Sequence, residues 1–168
     1  WPADNGSPAF GDNGMRLSQI LRRCALALVI TVNGIAAPVF AELPNLDPLR
    51  FAGEIVAFQE WDSKNYVPEG AILFVGSSSI RMWPTAAAFP DAELVNRGFG
   101  GAEFPDIFYY YERVITRYAP RKILLYVGDN DVGRGKSADA VFADYLTLVE
   151  WVKRDLPETE LHFISIKP

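Results

Sequence analysis

Apolar runs of strand length alternate with stretches of helical periodicity from about residue 48 onward. The runs 71–75, 93–96, 122–127 and 161–166 are short and rich in branched and aromatic side chains, as buried strands are. The first of them is apolar on both faces, which is typical of a central strand in a parallel sheet. Strands that alternate with helices form βαβ units, so the pattern predicts an α/β fold built on a parallel sheet.

Four stretches around these runs are predicted to be helices, and the first has the three- and four-residue spacing of an amphipathic helix. They begin after an Asp47-Pro48 cap, near Pro84, at Pro105 and after Ser137, and the last extends to about residue 155. The inward side of the first is predicted to carry Phe51, Ile55, Phe58 and Trp61. The aromatic residues 104–111 are interpreted as the buried face and its margin on a helix over 105–118 rather than as a platform for carbohydrate.

Polar and glycine-rich loops follow the first three predicted strands. They are 76–79 (Gly-Ser-Ser-Ser), 96–101 (Asn-Arg-Gly-Phe-Gly-Gly) and 128–131 (Gly-Asp-Asn-Asp). Because the carboxyl ends of parallel strands share one edge of the sheet, these loops are expected to meet there. A serine can attack a carbonyl group, while a glycine N–H and an asparagine amide can hold the resulting oxyanion. The loops therefore predict an acyl-transfer site with Ser78 as the nucleophile.

The three loops resemble the sequence blocks of the SGNH (GDSL-type) hydrolase family, over about residues 71–168. Ser78 matches the nucleophile of the first block, with Ser77 at the position that usually holds aspartate. Gly101 matches the oxyanion-hole glycine of the second block, and Asn130 matches the oxyanion-hole asparagine of the third. The resemblance implies a flavodoxin-like, three-layer α/β/α sandwich. It also implies a serine esterase or acyl hydrolase that uses no cofactor.

The family's histidine base is expected in a late Asp-x-x-His block, and this block does not occur in the sequence. The single histidine, His162, is predicted to be structural, because it lies early in the fourth strand and away from the serine edge. We therefore expect the domain at 48–168 to lack its last strand and closing helix, with the catalytic His and Asp beyond residue 168. On that expectation this chain alone would be inactive. The alternative hypothesis is a degenerate hydrolase fold that binds a ligand without turnover.

The residues before 48 are predicted to precede the folded domain. Residues 1–14 lack periodicity and are interpreted as disordered or as translated upstream sequence. Residues 15–41 combine arginines, an apolar stretch and small residues before Glu42, which is typical of a secretory signal peptide, and 42–47 reads as a linker. An uncleaved membrane anchor is the other interpretation, which Asn33, Gly34 and Pro38 disfavour. The protein is therefore expected to be exported, periplasmic or secreted, without stable membrane insertion after cleavage.

Composition narrows the classes of function. Hydrophobic residues make up 49% of the 168 residues, which favours a packed globular domain. A formal net charge of −5 with scattered basic residues argues against a nucleic-acid partner. One cysteine and one histidine exclude an internal disulfide and disfavour a transition-metal centre, so no metal site is predicted. Glu103 stands where a dinucleotide fingerprint would need glycine, which argues against nucleotide binding.

Several assignments stay open at this level. Asp129 and Asp131 are interpreted as turn caps rather than as ligands of a cation. The expected partner is a small-molecule, glycan or lipid ester, and the sequence assigns neither its contact residues nor the oligomeric state. Whether Arg81, Met82 and Trp83 line the substrate entrance is likewise undecided.

Overall fold

The computed structural model describes residues 47–166, which contain a four-stranded sheet. The strands are β1 (Ile72–Gly76), β2 (Leu94–Gly98), β3 (Lys122–Tyr126) and β4 (Glu160–Phe163). They lie in the order β2-β1-β3-β4, and every pairing is parallel. The predicted α/β fold with a parallel sheet is confirmed, and β1 is its central strand between β2 and β3.

Helices connect the strands and flank the sheet. They are α1 (Ala52–Lys64), α2 (Ser78–Met82), α3 (Thr85–Ala88), α4 (Phe104–Tyr109), α5 (Tyr111–Val114), α6 (Asp129–Gly133) and α7 (Ala138–Asp155). Short 3₁₀ turns at Pro48–Phe51 and Thr116–Tyr118 complete the described elements. The predicted caps are present: Asp47 accepts the N–H of Leu49 at 2.9 Å, and Ser137 accepts that of Ala140 at 3.2 Å.

Side chains of the sheet enter a different cluster on each face, because successive residues of a strand point to opposite sides. From β1, Leu73 and Val75 join a large core with residues of α1, α4, α5 and α7. Phe74 faces the other way and packs with Ile80 of α2 and Tyr126 of β3. The sheet therefore lies between two helical layers, as the predicted three-layer sandwich requires.

Four details differ from the sequence-based expectations. The predicted helix 105–118 is broken at Tyr110, which allows the consecutive residues Tyr110 and Tyr111 both to be buried, at 1% and 4% exposure. Trp61 is 47% exposed instead of facing the core. Strand β4 ends at Phe163, paired with Leu125 of β3, instead of at residue 166. Helix α6 was not predicted, since a glycine-led turn gives no apolar periodicity.

The segments 1–14 and 15–41 and most of the 42–47 linker lie outside the described residues. Their assignments, including the signal peptide and the exported location, therefore stay predictions. Between residues 47 and 166, no helix combines the length and the apolar character that crossing a bilayer would need.

Candidate active site

The carboxyl edge of the sheet brings the three polar loops together. Gly76, the last residue of β1, is paired in register with Gly98 of β2 and Tyr126 of β3. Two further hydrogen bonds continue this pairing: Ser77 N–H donates to the Tyr126 carbonyl and Phe99 N–H to the Gly76 carbonyl, both at 2.9 Å. We call this edge, formed by loops 76–79, 96–101 and 128–131, the rim.

Two glycines allow the close approach at the rim. A Cβ atom on Gly76 would overlap the backbone of Tyr126, and Gly76 also has a φ of +144°. A Cβ atom on Gly98 would lie 2.8 Å from the backbone carbonyl carbon of Ile80 in α2. Helix α2 therefore packs directly against the end of β2. This contact fixes the position of Ser78, the first residue of α2.

Ser78, the predicted nucleophile, is that first residue of α2 and is partly exposed. Its neighbour Ser77 is fully buried and donates its hydroxyl to Asp129 Oδ1 at 3.3 Å, so the first rim loop is tied to the third. Neither the hydroxyl nor the backbone N–H of Ser78 has a hydrogen-bond partner among residues 47–166. Both groups are thus available to a ligand at the rim.

Gly101 lies in the second rim loop with a φ of +81°, a conformation that favours glycine. The N–H of the preceding Gly100 donates to Glu54 Oε2 at 3.3 Å, and Glu54 also pairs with Arg81 at 3.5 Å. By contrast, the N–H of Gly101 has no acceptor within the described part of the chain. It is a second free donor at the rim.

Asn130 lies in the third rim loop, in α6, and is partly exposed. Its side-chain amide donates one hydrogen bond to the Ala102 carbonyl at 3.0 Å, which links the third loop to the second. An amide NH₂ group has two protons, so one remains for a ligand. The structure therefore brings Ser78, Gly101 and Asn130 to one rim, with no direct hydrogen bond between any two of them among residues 47–166.

The structure adds three buried carboxylates, in the third rim loop and just after the second, that the sequence did not single out as a group. Glu103, Asp106 and Asp131 are 4%, 2% and 0% exposed. Burial raises the pKa of each carboxyl group, and for Asp131 it raises the pKa to about 6. Asp131 was interpreted as a turn cap, but its carboxylate instead accepts the N–H of Phe104, 27 residues away, at 3.2 and 3.3 Å.

His162 lies away from the rim. It is paired in register with Leu124, which precedes Tyr126 by two residues, and its side chain is 52% exposed. Its Nε2 atom is 3.0 Å from Glu160 Oε2 on the same strand. This position offers no hydrogen bond to Ser78. Within residues 47–166 no group of histidine, cysteine and acidic side chains is arranged to hold a metal ion.

Aromatic rings that follow α2 pack on the face of the sheet that carries Phe74. Trp83 packs edge-on against Phe74 with ring centres 5.5 Å apart, and Phe89 lies 5.8 Å from Trp83. Met82 is 73% exposed and Trp83 is 36% exposed. A role for Arg81, Met82 and Trp83 in lining the substrate entrance stays a prediction.

Comparison with solved structures supports the assignment of the fold independently of the sequence motifs. A Streptococcus pneumoniae protein named for platelet activating factor matches with a TM-score of 0.62 and 28% identity, over 71% of this chain and 56% of that protein. A GDSL-like lipase from Bacteroides thetaiotaomicron matches with a TM-score of 0.54 and 19% identity, over 73% of this chain and 59% of the lipase.

A Bacteroides fragilis protein named as an acylhydrolase matches with a TM-score of 0.51 and 16% identity, over 68% of this chain and 54% of that protein. The chain thus spans between 54% and 59% of the length of these three proteins. No protein-family model and no curated protein matches the sequence. The parallel sheet and these likenesses together establish that the chain has an SGNH (GDSL-type) hydrolase-like fold.

Proposed function

We propose that the protein is a serine esterase or acyl hydrolase in which Ser78 attacks a carboxylic ester. One observation carries the proposal: three hydrogen-bond donors without acceptors among residues 47–166 lie on loops of the same rim. They are the backbone N–H groups of Ser78 and Gly101 and the second amide proton of Asn130. Free donors beside a serine hydroxyl are what a developing oxyanion needs.

In the proposed reaction, Ser78 Oγ bonds to the carbonyl carbon while its proton passes to a base. The carbonyl oxygen becomes an oxyanion and accepts hydrogen bonds from the three donors. Collapse of the tetrahedral intermediate breaks the bond to the alcohol oxygen, which takes the proton back from the base. Water then attacks the acyl-serine by the same route and releases the acid, so the serine is regenerated.

The base of this proposal is a histidine outside residues 47–166, oriented by an aspartate, as the family resemblance implies. His162 is not that base, because its ring contacts Glu160 on β4 and does not reach the rim. The rim supplies the nucleophile and the oxyanion donors, and the expected substrate is a small-molecule, glycan or lipid ester.

The proposal is tested by ester hydrolysis with the full-length natural protein. Ser78→Ala should abolish turnover of p-nitrophenyl acetate, whereas Ser79→Ala, a matched change at the next residue, should leave it nearly unchanged. Asn130→Ala should lower kcat by about 10²–10³, as expected for loss of one oxyanion donor. Thermal unfolding of each variant shows whether the fold is retained.

Hydrolysis that persists in Ser78→Ala would refute the assignment of the nucleophile. Wild-type protein that binds an ester or glycan ligand at the rim without hydrolysing it would instead support the alternative, a binding module on the same fold. Both outcomes are read in the same assay when ligand binding is followed beside product release.

A further inference from the structure

Each of the three buried carboxylates, Glu103, Asp106 and Asp131, pairs with a cation. Asp106 pairs with Arg50, Glu103 with Arg134, and Asp131 with Lys136, whose Nζ is 3.4 Å from Asp131 Oδ1. Lys136 is itself only 9% exposed and pairs on its other side with Asp144 of α7. Removing a charge from water is costly unless the charge is paired, so each of these buried carboxylates depends on its cation.

Asp131 and its neighbour Asn130 together fix the second rim loop. The Asn130 amide donates to the Ala102 carbonyl, and the Asp131 carboxylate accepts the N–H of Phe104 with both oxygens. The two anchored residues lie one and three positions after Gly101. The position of the Gly101 N–H relative to the Asn130 amide therefore depends on the Asp131 bond.

That bond is stronger when the carboxylate is ionised. An ionised Asp131 presents two acceptor oxygens to Phe104 N–H, and a charged acceptor makes a stronger bond than a neutral acid does. Burial and the nearby Glu103 raise the pKa of Asp131, while Lys136 and the Phe104 N–H lower it. Lys136 is the cation in contact with this carboxylate, whereas Arg134 and Arg50 pair with Glu103 and Asp106.

We propose that Lys136 is a positioning residue: it keeps Asp131 in the acceptor form that holds the Gly101 loop against Asn130, and so sets the geometry of the two oxyanion donors. This inference rests on the proposed esterase function. Lys136 touches neither Ser78 nor Asn130 among the described contacts, so it acts on the reaction only through Asp131.

The first test needs no activity and uses the full-length natural protein. The ¹⁵N–¹H resonance of Phe104 should titrate with the ionisation of Asp131, with a midpoint near pH 6. Lys136→Met, which removes the charge but keeps the stem, should move this midpoint upward by about one unit or more, since burial then acts without its counter-charge. Asp144→Asn, which removes only the outer partner of Lys136, should leave the midpoint in place.

The second test measures p-nitrophenyl acetate hydrolysis by the full-length natural protein. Lys136→Met should lower kcat at pH 7 on the order of tenfold to a hundredfold, with KM changed less than about twofold, because a misplaced donor weakens transition-state contacts. The loss should shrink as the pH is raised. Lys136→Arg should keep most of the wild-type kcat, and Asp144→Asn should behave as wild type.

The two proposals fail in different ways. A Phe104 resonance that does not titrate near pH 6, or that titrates identically in Lys136→Met, would overturn the role of Lys136. An equal loss of activity at all pH values with unchanged titration would mark Lys136 as merely structural. Absence of Ser78-dependent hydrolysis in the wild type would overturn the esterase function instead.

Discussion

A single added carbon atom at Gly98 would overlap the backbone of the helix that carries Ser78. The nearest atoms are the amide nitrogen of Arg81 and the carbonyl carbon of Ile80, which cannot rotate away as a side chain would. Gly53, on the exposed side of α1, has no atom within 4 Å of the equivalent position. The close approach of α2 therefore requires a glycine at position 98, whereas the space around position 53 would accept a side chain.

We expect Gly98→Ala to lower the free energy of unfolding by about 1–3 kcal/mol, the usual cost of overpacking. Gly53→Ala, the matched control, should raise it by about 0.5–1 kcal/mol, because alanine loses less backbone entropy in a helix. Urea unfolding followed by tryptophan fluorescence measures both. Equal effects of the two substitutions would show that Gly98 makes no close approach.

The sequence was informative about the rim where a residue type has a local signature. Ser78, Gly101 and Asn130 each follow a strand, and the structure places all three at the rim, although their catalytic roles stay predictions. The link between Asp131 and Phe104 had no such signature, because it joins residues 27 positions apart. Likewise, the contact of Glu54 with the Gly100 N–H spans 46 positions and follows only from the fold.

Among the elements, those with long periodic patterns matched their predictions, and those set by tertiary contacts did not. Helix α7 begins after its predicted Ser137 cap and ends at Asp155, as expected. The aromatic stretch gave two short helices instead of one, with the break at Tyr110, whose hydroxyl donates to the Pro48 carbonyl at 2.8 Å, 62 residues away. No spacing within residues 105–118 carries that information.

Helix α1 is attached to β2 by a buried ion pair that the sequence did not indicate. Asp62 near the end of α1 pairs with Arg97 of β2, and the two side chains are 3% and 6% exposed. Asp62 also accepts the Tyr118 hydroxyl at 2.8 Å, and the Arg97 guanidinium lies over the ring of Trp61. This contact explains why Trp61 covers a charged group at the surface instead of entering the core.

Asp62→Ala should therefore cost about 3–5 kcal/mol of unfolding free energy, because it leaves the Arg97 guanidinium buried without its counter-charge. The control is Glu160→Ala, which removes the exposed partner of Lys122 and should cost far less, because an exposed ion pair adds little to stability. Chemical denaturation at neutral pH compares them. A cost for Asp62→Ala no larger than that of Glu160→Ala would contradict the importance of the buried pair.

In the described part of the molecule, three of the fully buried acidic groups, Glu103, Asp106 and Asp131, lie in or just after the rim loops. Asp131 is the acid there whose pKa is raised furthest by burial, to about 6 from an ordinary value near 3.8. The folded state therefore binds a proton at this group more tightly than the unfolded chain does. The stability that this tighter proton binding contributes is fully present below a pH of about 4, and it is lost as the pH rises through about 6.

Asp131→Asn should remove this dependence. Relative to wild type, the variant should gain about 3 kcal/mol of unfolding free energy between pH 3 and pH 7, since each pKa unit corresponds to about 1.4 kcal/mol. Urea titrations at several pH values measure the difference, and Asp91→Asn at an exposed position is the control. A difference that does not grow with pH would show that Asp131 titrates as an ordinary carboxyl group.

The hydrogen bonds that continue the β-ladder past Gly76 have a consequence for how this architecture can diverge. The backbones of Ser77 and Phe99 are hydrogen-bonded to the sheet. The backbone of the first two loops therefore cannot adapt to a new ligand without disturbing the core. The exposed side chains of Arg81, Met82 and Trp83 are not part of this ladder, although Arg81 pairs with Glu54 and Trp83 packs against Phe74. Selection can therefore retune the shape and charge beside the serine by changing these outer side chains while the inner scaffold stays invariant.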